Sequence, residues 1–450
     1  MFRTIVKVSL CALFCSLPAG MAWADGAVYA MTNALSNNEI KVYLRAANGN
    51  LSLVQTIATG GGGSGLQLAG VDSLGSAGSL QLDEEHNVLF AVNAESAAEN
   101  NGGGAYNTDC NQGTITSFKV AADGTLTFAD RVFSGGLFPN SLTVKKAKSE
   151  LLYVLNSGGP EVPICHLTPS SASTPNVAGF TVDKDGHLTR LGSTQPVDPG
   201  PAIGAGESCS AASAAGFSAL TGAPAADFIC GLNPPSFARS PAQVQFTPDG
   251  HELVVTVKGT NTIYVFPVNK KDGRVDPPTT MQAAAPALPT YFGFTFDMDG
   301  ELLVTEMFGS ATSIPAGAQG ALSSFLITKN TALQSISSHV GDGATAPLGI
   351  ALEPINGSYA YVSNNLSASI SSYAVGLDGT VALLNGVAAS GSGPNDLATA
   401  QENGLSFLYV VNAGTGTVGA FQINSDGSLT AITGGGGLPA GRSAQGLAAY

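Results

Sequence analysis

The chain has 450 residues, of which 44% are hydrophobic and only 11% charged, with 57 Gly and 24 Pro. Apolar content of this size excludes a disordered chain, and the Gly and Pro excess points to many turns rather than exposed amphipathic helices. The formal net charge is −14, from 18 Lys+Arg against 32 Asp+Glu, which excludes a nucleic-acid partner and disfavours anionic membrane surfaces, since both need clustered basic groups.

Residues 1–24 read as an export signal. Arg3 and Lys7 supply a positive start, Val8 to Leu17 a short apolar core, and Ala22-Trp23-Ala24 a small-x-small cleavage site. Residues 25–450 then form the mature domain. Its 16 basic and 32 acidic residues give −16, and it contains no tryptophan. No later stretch approaches the roughly 18 apolar residues of a spanning helix, so membrane insertion is not expected. Cys110, Cys165, Cys209 and Cys230 remain. An even count in an exported chain predicts two disulfides. Three connectivities are open, with Cys209–Cys230 and Cys110–Cys165 the expected one. No Cys or His spacing suits a metal, and no cofactor is expected.

Along the mature chain one strand unit recurs. Phe90-Ala-Val-Asn93, Tyr153-Val-Leu-Asn156, Tyr361-Val-Ser-Asn364 and Tyr409-Val-Val-Asn412 share an aromatic residue, a β-former and a closing Asn, and Tyr29-Ala-Met-Thr-Asn33 is a looser copy. A second β-rich stretch follows each copy: 40–44, 114–120, 177–182, 262–268, 321–327, 369–375 and 417–423. A tight turn and a third strand come next. Asn48-Gly49, Asp123-Gly124, Asp185-Gly186, Asp272-Gly273, Asp378-Gly379 and Asp426-Gly427 fill six of those turns, and Lys329-Asn330 the seventh. Such dipeptides suit type I′ turns. Asp249-Gly250, Asp299-Gly300, Asn356-Gly357 and Asn403-Gly404 mark another set, ahead of the Asn-ending strand and after a short alternating strand such as 243–247 or 349–352.

Four antiparallel strands, a to d, in a recurring unit of this length make a propeller blade. The first copy begins at Ala27 without a strand a, and segment 444–450 is a strand without partners of its own. The fold expected is therefore an all-β, seven-bladed β-propeller closed by the C-terminal strand pairing into the first blade. The a-to-b and c-to-d connections are tight turns on one side. The long insertions 60–78, 94–113, 157–176, 193–240 and 308–320 all fall on the other, and they carry every mature cysteine. Long loops at a channel mouth are where ligands usually bind.

The Tyr-Val-x-Asn blades, with Phe246-Thr-Pro-Asp-Gly250 opening one of them, resemble the β-propeller lactonase family of 6-phosphogluconolactonase-like and carboxymuconate-cyclase-like proteins. The resemblance covers residues 27–450. It implies a lactone-opening or lactone-forming enzyme with an Arg-His type pair at the start of an innermost strand, facing an acidic residue at the end of strand b. At the pair positions this chain carries Asn140-Ser141, Ala242-Gln243, Phe292-Gly293, Leu348-Gly349 and Asn395-Asp396, none of them Arg or His. Glu306 matches the acidic position, and Val257-Lys258 stands at its counterpart one copy earlier.

Opening a lactone needs a base and a group that stabilises the developing oxyanion. Glu306 and Lys258 are the residues expected in those roles, with Asn140, Gln243, Asn395 and Asp396 as substrate-binding groups. So few cations suit a neutral or weakly charged lactone of the sugar or muconate type. The alternative is a non-catalytic propeller that binds a glycan, peptide or surface partner through its stapled loops. In either case the protein is expected to be exported, to the periplasm or the medium, and monomeric. Other motifs carry less. Gly414-Thr-Gly-Thr-Val-Gly419 lies between strands with no helix to follow, which excludes a dinucleotide site. Asp183-Lys-Asp185-Gly186 and Asp297-Met-Asp299-Gly300 lack the remaining ligands of a calcium loop. The histidines assemble into no predicted triad.

Overall fold

The computed structural model describes residues 26–450 except 35, 66–71, 73, 95–112, 146–149, 159–174, 198–239, 259–260, 283–288, 309–319, 330 and 442–443. The signal segment and Cys110, Cys165, Cys209 and Cys230 lie outside the described residues.

The described residues form seven four-stranded antiparallel sheets and no helix. Blade 1 takes its strand a from the C-terminus. Leu447–Ala449 pairs antiparallel with strand b, Gly26–Met31, through Val28↔Ala449 and Ala30↔Leu447. Strands a of blades 2 to 7 are Leu80–Asp83, Pro139–Lys145, Pro241–Phe246, Pro289–Phe296, Pro347–Leu352 and Pro394–Glu402. The seven-bladed architecture and its closure by the C-terminal strand are as the repeats predict, and the closing strand is shorter than segment 444–450.

Alternation explains the core. Successive side chains of one strand point to opposite faces of its blade, so each blade buries one set against each neighbour. Between blades 3 and 4, for example, Tyr153, Leu155 and Val177 meet Val244, Val255 and Phe266. Each fully buried side chain of this size contributes about 1.5–3 kcal/mol. The strand-closing asparagines tie strands together by their side chains. Asn93 donates to Thr114 Oγ1 and Thr116 Oγ1 on strand c, and accepts from Asn38 and Thr59 of blade 1.

The c-to-d turns differ from the type I′ expectation. Gly49, Gly124, Gly186, Gly273, Gly379 and Gly427 have φ between +73° and +88°, whereas the Asp or Asn before each is absent from the left-handed region. In the blade 2 turn, Gly124 N donates to Ala121 O and Ala121 N to Thr125 O, while Asp123 Oδ1 accepts from Thr125 N. This is a type I turn closed by a left-handed glycine bulge, which needs positive φ at one residue only. In blade 5 Thr331 takes the left-handed conformation, at φ +61°, and Asn330 of the expected pair lies outside the described residues. Asp297 caps its turn: its Oδ1 accepts from Asp299 N, Gly300 N and Glu301 N.

Candidate functional site

Strands a of blades 3 to 7 all begin with proline, and four of the five register shifts against strand b start at that proline: Pro139/Ser141, Pro241/Gln243, Pro347/Ile350 and Pro394/Leu397. In blade 5 the shift falls at Tyr291/Phe294. Proline has no N–H to give a ladder, so it stands at the strand's first position, and the bulge turns the next residues towards the channel mouth. The positions predicted to bind substrate lie on these bulged segments.

Those residues are buried, and the protein itself engages a polar atom of each, while Asn140 Oδ1 meets no donor among the described residues. Asn140 Nδ2 donates to Pro241 O at 2.9 Å. Gln243 makes a two-point bridge to Phe294 of blade 5, giving to its O and accepting from its N, both at 2.8 Å. Asn395 Nδ2 donates to Ala444 O at 3.3 Å, and Asp396 Oδ2 accepts from Gly446 N at 2.6 Å. Lys258 is 2% exposed, donates to Gly75 O and lies 5.2 Å from the centre of the Phe292 ring.

The partner of Lys258 shows what fills the mouth. Asp72 accepts from Leu74 N, Gly75 N and Ser76 N at 2.9–3.1 Å and folds its segment into a compact turn. Ser76 Oγ then donates to Asn140 O, Ala77 N to Ala242 O, and Gln445 holds Leu74 N and Ser76 O. A piece of the blade 1-to-2 insertion thus caps the axis on the loop side. Burial pushes the Asp72 carboxyl up and the Lys258 ammonium down, each opposed by the charge of the other. Burial, with Asp72 nearby, raises Asp396 to about 7. Beneath the cap a cavity of about 400 Å³ runs along the strands a, past Gln81, Gln243 and Gln245, to Glu84 and Met298 on the tight-turn side.

Glu306 has other partners. It lies on strand b of blade 5, Leu302–Phe308, fully buried, and its Oε2 is 2.5 Å from His339 Nδ1. His339 belongs to strand d, Leu333–Gly341, and its side chain is 33% exposed. A shift in the pairing of strands c and d around Leu322/Ser324 accompanies φ +53° at His339, whose N–H donates to Ser323 Oγ at 2.8 Å. Left-handed backbone at a non-glycine residue costs about 1–2 kcal/mol, and such strain clusters at functional sites. Burial pushes the Glu306 carboxyl up, with His339 and Ser323 opposing. The result is a buried carboxylate holding one nitrogen of a half-exposed imidazole, near the loop-side ends of both strands. Sequence reasoning missed His339, which stands in an alternating outer strand with no motif around it.

These features define a seven-bladed β-propeller. The family model for "Lactonase, 7-bladed beta-propeller" matches residues 231–437 of the chain. No curated protein matches the chain. Among solved structures, a candidate 6-phosphogluconolactonase of Bacteroides uniformis is similar at TM-score 0.61 and 16% identity, covering 94% of this chain and 99% of its own. The periplasmic gluconolactonase of Pseudomonas aeruginosa is similar at TM-score 0.59 and 16% identity, covering 92% and 97%. A protein from Lactobacillus plantarum gives 0.60 and 15%, covering 94% and 99%. At these identities the likeness is one of fold.

Proposed function

We propose that the protein hydrolyses a lactone, with the Glu306–His339 pair as its base. The observation that carries this is the 2.5 Å contact between a buried carboxylate and a half-exposed imidazole. With its Nδ1 proton given to Glu306 Oε2, the ring keeps a lone pair on Nε2, the arrangement that makes histidine a general base. His339 Nε2 takes a proton from water as the water oxygen bonds to the lactone carbonyl carbon. The tetrahedral intermediate then breaks its ring C–O bond, and the same proton passes to the leaving oxygen. A hydroxy acid results. In this reading Glu306 acts through the imidazole and is a positioning residue.

Lys258, Asn140, Gln243, Asn395 and Asp396 are assigned to holding the cap and the blade junctions, because each gives a polar atom to a protein partner. We place the substrate among neutral or weakly charged sugar- or muconate-type lactones, on the scarcity of basic residues. Residues 1–24 support export, and a gluconolactonase with a similar fold is periplasmic. Closure of the axial mouth favours a second reading, binding of a glycan or peptide on the loop side without chemistry.

The test is a pair of substitutions, followed by proton release from a hexonic acid lactone. His339→Gln is expected to lower kcat by about 100-fold or more, in the range of a lost general base. Glu306→Gln is expected to lower kcat with KM little changed. Full activity in His339→Gln would remove the base assignment.

A further inference from the structure

We propose that Asp83, His86 and Glu150 form a site for one divalent transition cation of the zinc type, tying blade 2 to blade 3 on the tight-turn side. This stands independently of the lactone reading, since the cluster lies on the opposite side from Glu306.

Asp83 closes strand a of blade 2 and is fully buried, and His86 stands in the turn that follows. Glu150 opens strand b of blade 3, Glu150–Asn156, and is 4% exposed. Asp83 Oδ1 is committed to the turn, accepting from Glu85 N at 3.0 Å. Its Oδ2 lies 2.6 Å from His86 Nδ1, and Glu150 Oε2 lies 3.4 Å from the same nitrogen. The three donors fall within 4.8 Å of one another. Ligands bound tetrahedrally at about 2.0–2.2 Å stand roughly 3.3–3.6 Å apart, close to the longer of the two distances seen.

The independent sign of a ligand is Glu150 itself. Its Oε1 is buried and meets no hydrogen-bond donor among the described residues. It faces a second buried carboxyl group, that of Asp83. Two buried carboxylates without a cation between them are costly. Lys119, the nearby ammonium, is engaged with the carbonyls of His86 and Lys184 at 3.1 and 2.9 Å. One imidazole nitrogen with two carboxylate oxygens is a donor set that zinc accepts. Water completes the shell through the half-exposed His86. A metal at this position takes the Nδ1 lone pair of the imidazole tautomer that carries its proton on Nε2.

The experiment is calorimetric titration of the whole metal-free chain with ZnCl2, alongside Glu150→Gln and Asp183→Asn. The second variant probes the exposed Asp183, Asp185 and His187 cluster. One equivalent should bind, and Glu150→Gln should weaken binding by more than about tenfold. Asp183→Asn should leave it unchanged. Zn2+ should raise Tm in the unmodified chain and not in Glu150→Gln. His86→Gln, in a partly exposed turn, replaces Glu150→Gln should the latter not fold. No one-to-one binding, or binding equal in the unmodified chain and both site variants, overturns the proposal.

Discussion

At the scale of single residues, the aromatic that opens each repeat has a defined task. Tyr29, Tyr153, Tyr361 and Tyr409 donate their hydroxyls to the carbonyls of Gly124, Gly273, Gly427 and Gly49, the c-to-d turn glycines of the next blade. In blade 2, where Phe90 stands in place of tyrosine, Ser117 Oγ donates to Gly186 O. Tyr153→Phe is therefore expected to cost about 1 kcal/mol, read as a lower Tm, because a buried carbonyl loses its donor. An unchanged Tm would show that the bond contributes nothing. The same scale explains what the sequence revealed of the site. Glu306 was legible from its place at a strand end where the other repeats carry asparagine. His339 was not, because the c–d register shift and left-handed φ that aim its ring leave no mark among serines and a valine. Asp72 was equally hidden, inside a stretch that reads only as a glycine-rich insertion.

At the scale of elements, Asp-Gly and Asn-Gly located the hairpins but not their type. Which residue becomes left-handed depends on the strand register across the turn, which the dipeptide does not encode. Gly273 illustrates the constraint: its φ is +73°, and an added Cβ would stand 2.7 Å from the Leu151 side chain. Gly273→Ala is expected to destabilise the fold by about 1 kcal/mol or more, measured as a fall in the denaturation midpoint. The capped mouth makes a pH prediction. Asp396 titrates near 7 in the folded protein, raised mainly by burial. The folded state therefore holds its proton more tightly than the unfolded chain. The resulting cost is absent below the unfolded value near 4, grows as pH rises, and is complete above 7. Asp396→Asn should flatten that fall in stability between about pH 4 and 7 in chemical denaturation series. An identical slope in the variant would contradict the assignment.

At the scale of the whole molecule, the ring was the most legible feature. Strand units recur seven times, and the first lacks the strand that Leu447–Ala449 supplies. The closing segment also reaches the cap, through Gln445 and through Gly446 N on Asp396. Removing residues 444–450 is expected to open an edge of blade 1, release the cap and lower Tm, with loss of a single cooperative transition. What the repeats did not disclose is that the axial mouth is filled by the chain itself. That follows from long-range hydrogen bonds between an insertion, two bulged strands and the C-terminal segment, which no local pattern records. Lactone opening by a Glu306–His339 pair, away from the capped axis, is the reading proposed for this propeller. The most direct measurement is pH-stat proton release by the unmodified protein against sugar, phosphorylated sugar and muconate-derived lactones. Turnover above the buffer rate is expected for a neutral or weakly charged lactone; release at the buffer rate across the whole panel would rule out lactone opening.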